Sequence, residues 1–159
     1  MQQTTGILKN LNSSEFELTH FFESTPDLVC IAKKDGYFSS FNQSVINKLG
    51  YSKEELLTRP IFELIHPDDR EATRETRLKM LEGEALISFV NRYLTKSGDI
   101  VWLEWTSIYF EDKDLIFAIA KDVSRKRLAE IEIEKKYNKF KSLATHFKST
   151  IEKDRKFLA

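Results

Sequence analysis

One segment brings together residue types that could bind a metal ion. His66 is followed, after Pro67, by Asp68 and Asp69, and imidazole and carboxylate groups are common metal ligands. The same segment is also a favourable helix start. Proline fits the first helical position, and acidic side chains there stabilise the positive end of the helix dipole. We interpret the segment as a helix start rather than a metal site.

Cys30 is the single cysteine of the chain and could in principle act as a redox thiol. It lies in the apolar run of residues 28–32, where we expect a buried, structural side chain. One cysteine excludes an internal disulfide and favours a reducing compartment, so we expect a cytoplasmic location. The sequence has no glycine-rich phosphate loop, Ser-His-Asp set or zinc spacing. We therefore predict that the chain is not an enzyme.

The composition is that of a folded domain. Hydrophobic residues make up 41% of the 159 residues and aromatic residues 12%, which is enough for a core. Its 25 basic and 25 acidic side chains cancel, which argues against a nucleic-acid partner. The first 25 residues lack the apolar stretch of a secretion signal, and no apolar run approaches the roughly 20 residues needed to span a membrane.

Turn and capping signals divide the chain into alternating elements. Ser14 and Glu17 have the spacing of a capping box, so we expect a frayed leader over residues 1–12 and a first helix from about Ser13. Asn42 is a favourable N-cap for a later helix. The predicted order is a helix, strands 28–32 and 37–41, several short helices, a helix over 67–82, strands 86–95, 100–110 and 115–123, and a long final helix. This order predicts an α+β fold on a five-stranded antiparallel sheet.

Strand 100–110 carries apolar side chains at both alternations, which predicts a sheet covered on both faces. Val101, Leu103 and Trp105 fall on one side, and Trp102, Ile108 and Phe110 on the other. The short helices can cover one face. The phenylalanine-rich first helix, or a partner chain, should cover the other.

The joint order of several short motifs resembles the PAS family over about residues 20–123. These motifs are Ser24-Thr25-Pro26-Asp27, the run from Asn42 to Leu49-Gly50-Tyr51, Glu55-Leu56-Leu57, His66-Pro67-Asp68-Asp69, Lys96-Ser97-Gly98 with Trp102, and Asp122-Val123-Ser124. The chain departs from the family pattern at Ser44, Thr58 and Ser124. The resemblance implies a sensor module at 24–123, a leader and N-terminal capping helix at 1–23, and a C-terminal signalling helix at 124–159.

The resemblance also allows the family's cofactors to be compared with the residues present. The chain has no Asn-Cys-Arg-Phe-Leu-Gln motif for covalent flavin attachment, and residues 67–82 contain no histidine for haem. The sequence therefore leaves the cofactor unknown and is equally compatible with none. His146 lies where phosphoacceptor histidines occur in signalling helices, but Phe147 follows it in place of an acidic residue. We do not predict phosphotransfer there.

We predict an internal pocket between the sheet and the short helices that binds a small apolar ligand. Its candidate lining residues are Val45, Leu49, Phe62, Ile65, Phe89, Leu103 and Ile119. We expect Asp122 at the end of the last strand to relay the signal to Ser124, through an ion pair with Lys96 or Arg92 or by capping the helix.

The last 36 residues contain no glycine or proline and carry apolar side chains in alternating steps of four and three. This heptad spacing predicts a homodimer through the helix, with packing of the stripe against the domain's own sheet as the alternative. Its seam residues are Tyr137, Phe140, Ala144, Phe147 and Ile151. The charged stretch 153–159 resembles the lead-in to the phosphoacceptor helix of bacterial histidine kinases. We therefore expect a sensory input domain of such a kinase that detects a small ligand, a cofactor or a protein contact, with a ligand-free dimerisation or scaffold module as the alternative.

Overall fold

The computed structural model describes the backbone of residues 2–158 and the side chains of residues 13–158. The chain divides into two units, residues 1–123 and residues 124–159. The first unit contains α1 (Gln2–Ser24), β1 (Leu28–Lys33), β2 (Phe38–Phe41), α2 (Gln43–Leu49), α3 (Lys53–Thr58), α4 (Arg70–Leu81), β3 (Leu86–Leu94), β4 (Ile100–Phe110) and β5 (Leu115–Asp122). The second unit is the helix α5 (Ser124–Leu158).

The five strands form one antiparallel sheet in the order β2-β1-β5-β4-β3. The first and last strands of the domain therefore lie side by side at its centre. Turns with left-handed glycines join the hairpins: φ is 92° at Gly36 and 90° at Gly98, a backbone region that favours glycine. The predicted α+β fold with a five-stranded antiparallel sheet and a long C-terminal helix is confirmed.

One face of the sheet packs against the short helices and forms the core. Along β4, Val101, Leu103 and Trp105 are buried, whereas Ile108 and Phe110 are about half exposed. The two alternations of β4 thus lie on different faces, as the sequence indicates. α2 and α3 contribute Val45, Leu49 and Leu56 to the buried cluster.

The first helix starts earlier than the sequence indicates. α1 is continuous from Gln2, so Ser14 lies inside the helix and no capping box forms there. Instead, Ser13 Oγ donates to Glu17 Oε1 at 3.5 Å. No proline interrupts residues 2–24, so nothing in that stretch stops a helix from extending through the predicted start.

Candidate functional site

A cavity of about 130 Å³ lies between the inner face of the sheet and α4. Most of its wall is apolar, and all of it belongs to the first unit. Its lining residues are Cys30, Ala32, Gly36, Phe38, Ile61, Phe62, Ile65, Thr73, Thr76, Arg77, Met80, Leu86, Phe89, Asn91, Tyr93, Trp105, Ser107, Ile116 and Ala118. A concave, mostly apolar space with a few polar groups is the usual form of a small-molecule site.

A β-bulge in β3 brings two large side chains to the cavity. Leu86 pairs with Ser107 and Phe89 pairs with Trp105, so β3 contains one residue more than β4 between these two pairs. Without that extra residue, Leu86 and Phe89 would lie on opposite faces, because side chains alternate along a strand. Ser88 lies in the bulge and has a φ of 53°, in the left-handed region.

Replacing Ser88 with valine should lower the free energy of unfolding by about 1–2 kcal/mol, because a β-branched residue is strained at positive φ. Ser88→Gly should be neutral or slightly stabilising. The matched control is Ser40→Val at an exposed position of β2, which should stay within about 0.5 kcal/mol. Urea denaturation measures all three. A Ser88→Val variant as stable as the unmodified chain would contradict the bulge geometry.

A buried amide organises the polar part of the wall. Trp105 Nε1 donates to Asn91 Oδ1 at 3.0 Å, and Asn91 Nδ2 donates to Thr73 Oγ1 at 3.1 Å. The Thr73 hydroxyl in turn donates to the Asp69 carbonyl at 2.7 Å. This chain of hydrogen bonds holds the start of α4 to β3 and β4, and therefore fixes the width of the cavity between them.

Three further polar side chains, those of Cys30, Tyr93 and Ser107, lie in the wall. Burial raises the pKa of Cys30 to about 12, so the thiol stays protonated at neutral pH and is a poor nucleophile. Burial likewise raises the pKa of Tyr93. Tyr93 and Ser107 are both buried, and their hydroxyls make no hydrogen bond to another described residue. They are available to a molecule inside the cavity.

The structure places three of the seven predicted lining residues in the cavity wall: Phe62, Ile65 and Phe89. Val45, Leu49 and Leu103 are instead packed into the filled part of the core. Ile119 lies on the opposite face and is 48% exposed, because its neighbours Ala118 and Ala120 occupy the inward positions of β5. Ligand binding by Phe62, Ile65 and Phe89 stays a prediction.

The wall residues that sequence reasoning missed come from every strand of the sheet and from α4, and several are inward positions of β3 and β4. Tyr93, Trp105 and Ser107 could have been found from strand alternation alone. Leu86 could not, because it reaches the cavity only through the bulge.

The expected ion-pair partners of Asp122, Lys96 and Arg92, need correction. Asp122 Oδ2 pairs with Lys48 Nζ at 2.7 Å, at the end of α2. Lys96 Nζ binds Glu55 Oε1 at 2.8 Å, and its backbone N–H donates to the carbonyl of Leu49. The ion pair between Lys96 and Glu55 therefore connects the β3–β4 turn to α3. Ser124 begins α5, and a relay role for Asp122, Ser124 and Lys96 stays a prediction.

The helix start at His66 is built as the sequence indicates. His66 Nδ1 accepts the N–H of Asp68 at 3.2 Å, with Pro67 at the first helical position. Both oxygens of Asp69 are occupied by Arg92: Oδ1 accepts from Nη2 at 2.6 Å, and Oδ2 accepts from Nε at 2.9 Å and from the backbone N–H at 2.7 Å. These bonds lower the pKa of Asp69. Asp69 thus clamps the segment before α4 to β3.

Asp69→Asn should lower the free energy of unfolding at pH 7 by about 2–3 kcal/mol, because it leaves the Arg92 cation without its carboxylate. The folded-state pKa of Asp69 is depressed, so its stabilisation is present above the unfolded pKa of about 3.9 and is lost as pH falls through the folded value. The deficit should therefore shrink below about pH 4. Urea denaturation at pH 7 and pH 3 measures it. The control is the exposed neighbour Asp68→Asn; an equal loss there would exclude a special role for Asp69.

The predicted seam lies on an exposed stripe of α5. Tyr137, Phe140, Phe147 and Ile151 are all exposed within this unit, with Phe140 at 71% and Phe147 at 67%. Ala144 is exposed as well. These side chains leave α5 with a large apolar surface.

No cluster of three or more His, Cys, Asp or Glu side chains suited to a metal ion occurs among the described side chains of residues 13–158. Of the helices in the part of the chain that the structure describes, none is both long and apolar enough to cross a membrane.

A model of the PAS fold family matches residues 38–117. The methyl sulfide methyltransferase-associated sensor of Methanosarcina acetivorans is 29% identical over 124 residues, which cover 76% of this chain and 12% of the relative. The chain spans about a tenth of the length of the curated relatives it matches, 9 to 12%.

Solved PAS domains have the same architecture. The PAS domain of an HTR-like protein from Haloarcula marismortui has a TM-score of 0.63 and 26% identity, covering 74% of this chain and 98% of that one. A domain of a sensory box sensor histidine kinase/response regulator from Geobacter sulfurreducens has a TM-score of 0.59 and 20% identity, covering 70% and 96%.

Proposed function

This chain belongs to the PAS family, and on that premise we propose that it is a sensory input domain that detects a small molecule in its cavity. As a PAS domain it is a regulatory sensor module and not a catalytic one. We further propose that it works in the cytoplasm, as a homodimer through α5, and passes its signal to a histidine kinase that follows it. The cavity between α4 and the sheet is the observation that carries the sensory part of the proposal.

The contacts around the cavity support a route from a ligand to the end of the sheet. Asn91 and Trp105 lie in the wall, and β4 pairs directly with β5, where Trp105 is opposite Ala120. β5 ends at Asp122, which is bound to Lys48 of α2. A molecule that changes the spacing of β4 would therefore act on the strand that leads into α5.

Two kinds of relative support the kinase part of the proposal. The Methanosarcina relative is described as a sensor, and the Geobacter domain is described as part of a sensor histidine kinase/response regulator. The exposed apolar stripe of α5 supports a dimeric output, because a stripe of this kind is stable in water when a second helix covers it.

The small size of the cavity favours a second candidate function, a ligand-free dimerisation or scaffold module. Its 130 Å³ lies below the roughly 300–1,000 Å³ of common ligand pockets. In that case the cavity would be a packing defect, and filling it would stabilise the domain without any effect on output.

A chimeric kinase distinguishes the two candidates. The chain replaces the PAS domain of a characterised histidine kinase, with α5 continued in heptad register, and autophosphorylation is measured. Ser107→Leu fills the cavity with an apolar side chain, and Ser40→Leu makes the same change at an exposed site of β2. We expect Ser107→Leu to change the kinase rate several-fold and Ser40→Leu to leave it unchanged. Equal rates in all three proteins would overturn the sensory proposal and support the scaffold.

A further inference from the structure

Arg77 is the one residue with a charged side chain in the described wall of the cavity. It projects from α4 and is only partly exposed. The wall contains no carboxylate, so the cavity carries a net positive charge. A ligand in this space meets that charge in a mostly apolar setting, where electrostatic interactions are stronger than in water.

The guanidinium of Arg77 is anchored by backbone carbonyls and lacks an acidic partner. Its Nη2 donates to the carbonyls of Lys33 and Lys34 at 3.3 and 2.9 Å, in the β1–β2 turn. No ion pair between Arg77 and a described carboxylate forms. Asp35 acts on it from a distance only, and its own Oδ1 accepts the N–H of Tyr37. The N–H groups on Nε and Nη1 therefore remain available.

Burial also affects the pKa of this cation. It lowers the pKa of Arg77 below its usual range, although an arginine stays protonated at neutral pH. The protein thus keeps a partly desolvated cation beside a cavity without supplying the anion that usually accompanies one.

The volume of the cavity limits what can bind. At about 130 Å³ it is close to the roughly 150 Å³ of an apolar cavity that binds benzene. It is too small for a flavin or a haem. The rings of Phe62 and Phe89, together with Ile65, form a wall suited to one aromatic ring or a short hydrocarbon chain.

We propose that the cavity binds a small monocarboxylate, a single-ring or short-chain organic acid whose carboxylate pairs with Arg77. The apolar body of the acid lies against Phe62, Ile65 and Phe89, and the unpaired hydroxyls of Tyr93 and Ser107 give additional hydrogen-bonding groups. This inference rests on the proposed sensory function and specifies the charge and size of its ligand.

Calorimetric titration of the 159-residue chain with matched acids and amides tests the proposal. The probes are benzoate and hexanoate, with benzamide and hexanamide as neutral counterparts of nearly the same shape. We expect at least one acid to bind, about 10- to 100-fold more tightly than its amide, because a hydrogen bond to a charged group contributes about that factor. Arg77→Gln should remove this preference while leaving the weak binding of the amide.

Lys79→Gln is the control, because it removes a cation from an exposed position two residues later on α4, outside the cavity wall. It should bind the acids as the unmodified chain does. Equal affinity for acid and amide, acid binding that survives Arg77→Gln, or no binding of either acid would each overturn the proposal. The amide comparison needs no variant, so a poorly folded Arg77→Gln protein does not prevent a decision.

The two proposals can fail separately. If the acids do not bind but Ser107→Leu changes the output of the chimeric kinase, the domain senses a different molecule. If Ser107→Leu leaves the kinase output unchanged, the sensory proposal is wrong whatever the titrations show.

Discussion

Replacing Asn42 with alanine should lower the free energy of unfolding by about 3–4 kcal/mol, one of the two largest effects expected in this chain. The Asn42 side chain is fully buried and makes three hydrogen bonds to the backbone. Its Oδ1 accepts the N–H of Val29 at 3.1 Å, and its Nδ2 donates to the carbonyls of Phe22 and Asp27 at 2.9 and 3.0 Å. One side chain therefore joins the end of α1, the turn after it and β1.

The size of the effect follows from what the alanine variant leaves behind. Each lost hydrogen bond costs roughly 1 kcal/mol net, and backbone groups left unsatisfied in a buried place add to that cost. Urea denaturation of the unmodified chain and of the variant measures the difference. The neighbouring Gln43→Ala is the control, since the exposed Gln43 side chain bonds only to Asn47, and it should change stability by less than about 0.5 kcal/mol.

A second variant separates hydrogen bonding from packing. Asn42→Asp keeps the shape of the side chain but presents an acidic oxygen to the carbonyls of Phe22 and Asp27. If hydrogen bonds dominate, Asn42→Asp should be at least as destabilised as Asn42→Ala at pH 7 and should recover part of its stability in acid, where the carboxyl is protonated. A mild effect of the aspartate would show that shape, and not hydrogen bonding, explains the role of Asn42.

Asn42 also illustrates what the sequence could and could not predict. Its position before α2 was predictable, because asparagine favours the N-cap position. Its side chain nevertheless makes no cap hydrogen bond, and the carboxylate of Glu23 accepts the N–H of Gln43 at 2.9 Å in its place. The fold brings α1 to the start of α2, so a residue distant in sequence caps the helix and frees Asn42 for the three backbone bonds.

The order of strands and helices was predictable because local signals agree with the fold. Gly36 and Gly98 occupy positive-φ turns, and Pro67 begins the segment before α4. The cavity residues were harder to predict, because in β5 the small side chains face inward and a large apolar one faces outward. Its alanines Ala118 and Ala120 face the core, while Ile119 is outside.

Nothing in the sequence indicated that Arg77 lies beside the cavity. A charged residue on a helix is usually solvated, and only the approach of α4 to the β1–β2 turn places it beside the cavity.

The second large effect concerns the oligomeric state. The unmodified chain should be a dimer at tens of micromolar, and replacing both Phe140 and Phe147 with glutamate should give a monomer. Burial of a large apolar side chain contributes about 1.5–3 kcal/mol, and four phenylalanines are lost per dimer. A micromolar dimer is held by about 8 kcal/mol, so the change should raise the dissociation constant by at least about a thousandfold.

Analytical ultracentrifugation measures this, with circular dichroism to verify that the sensor domain is still folded. The control is the double variant Ser142→Glu and Ser149→Glu. It adds the same charge at the same spacing of seven residues, on the helix face away from the predicted seam. The control should remain a dimer, because those positions face water in a two-stranded coiled coil.

Orientation requires a separate measurement. In a parallel, in-register pair each seam residue meets its own copy, so Ala144→Cys should form an interchain disulfide under mild oxidation, whereas Ser142→Cys should not. The native Cys30 is buried and should not interfere.

A parallel dimer would deliver both α5 helices to the same end, which is the arrangement that a dimeric kinase requires. A monomer at tens of micromolar would remove the physical support for relay through α5. A dimer that survives both phenylalanine substitutions would instead point to the outer face of the sheet, where Ile108, Phe110 and Phe117 are exposed. Relay would then have to pass through that face and not through the helix.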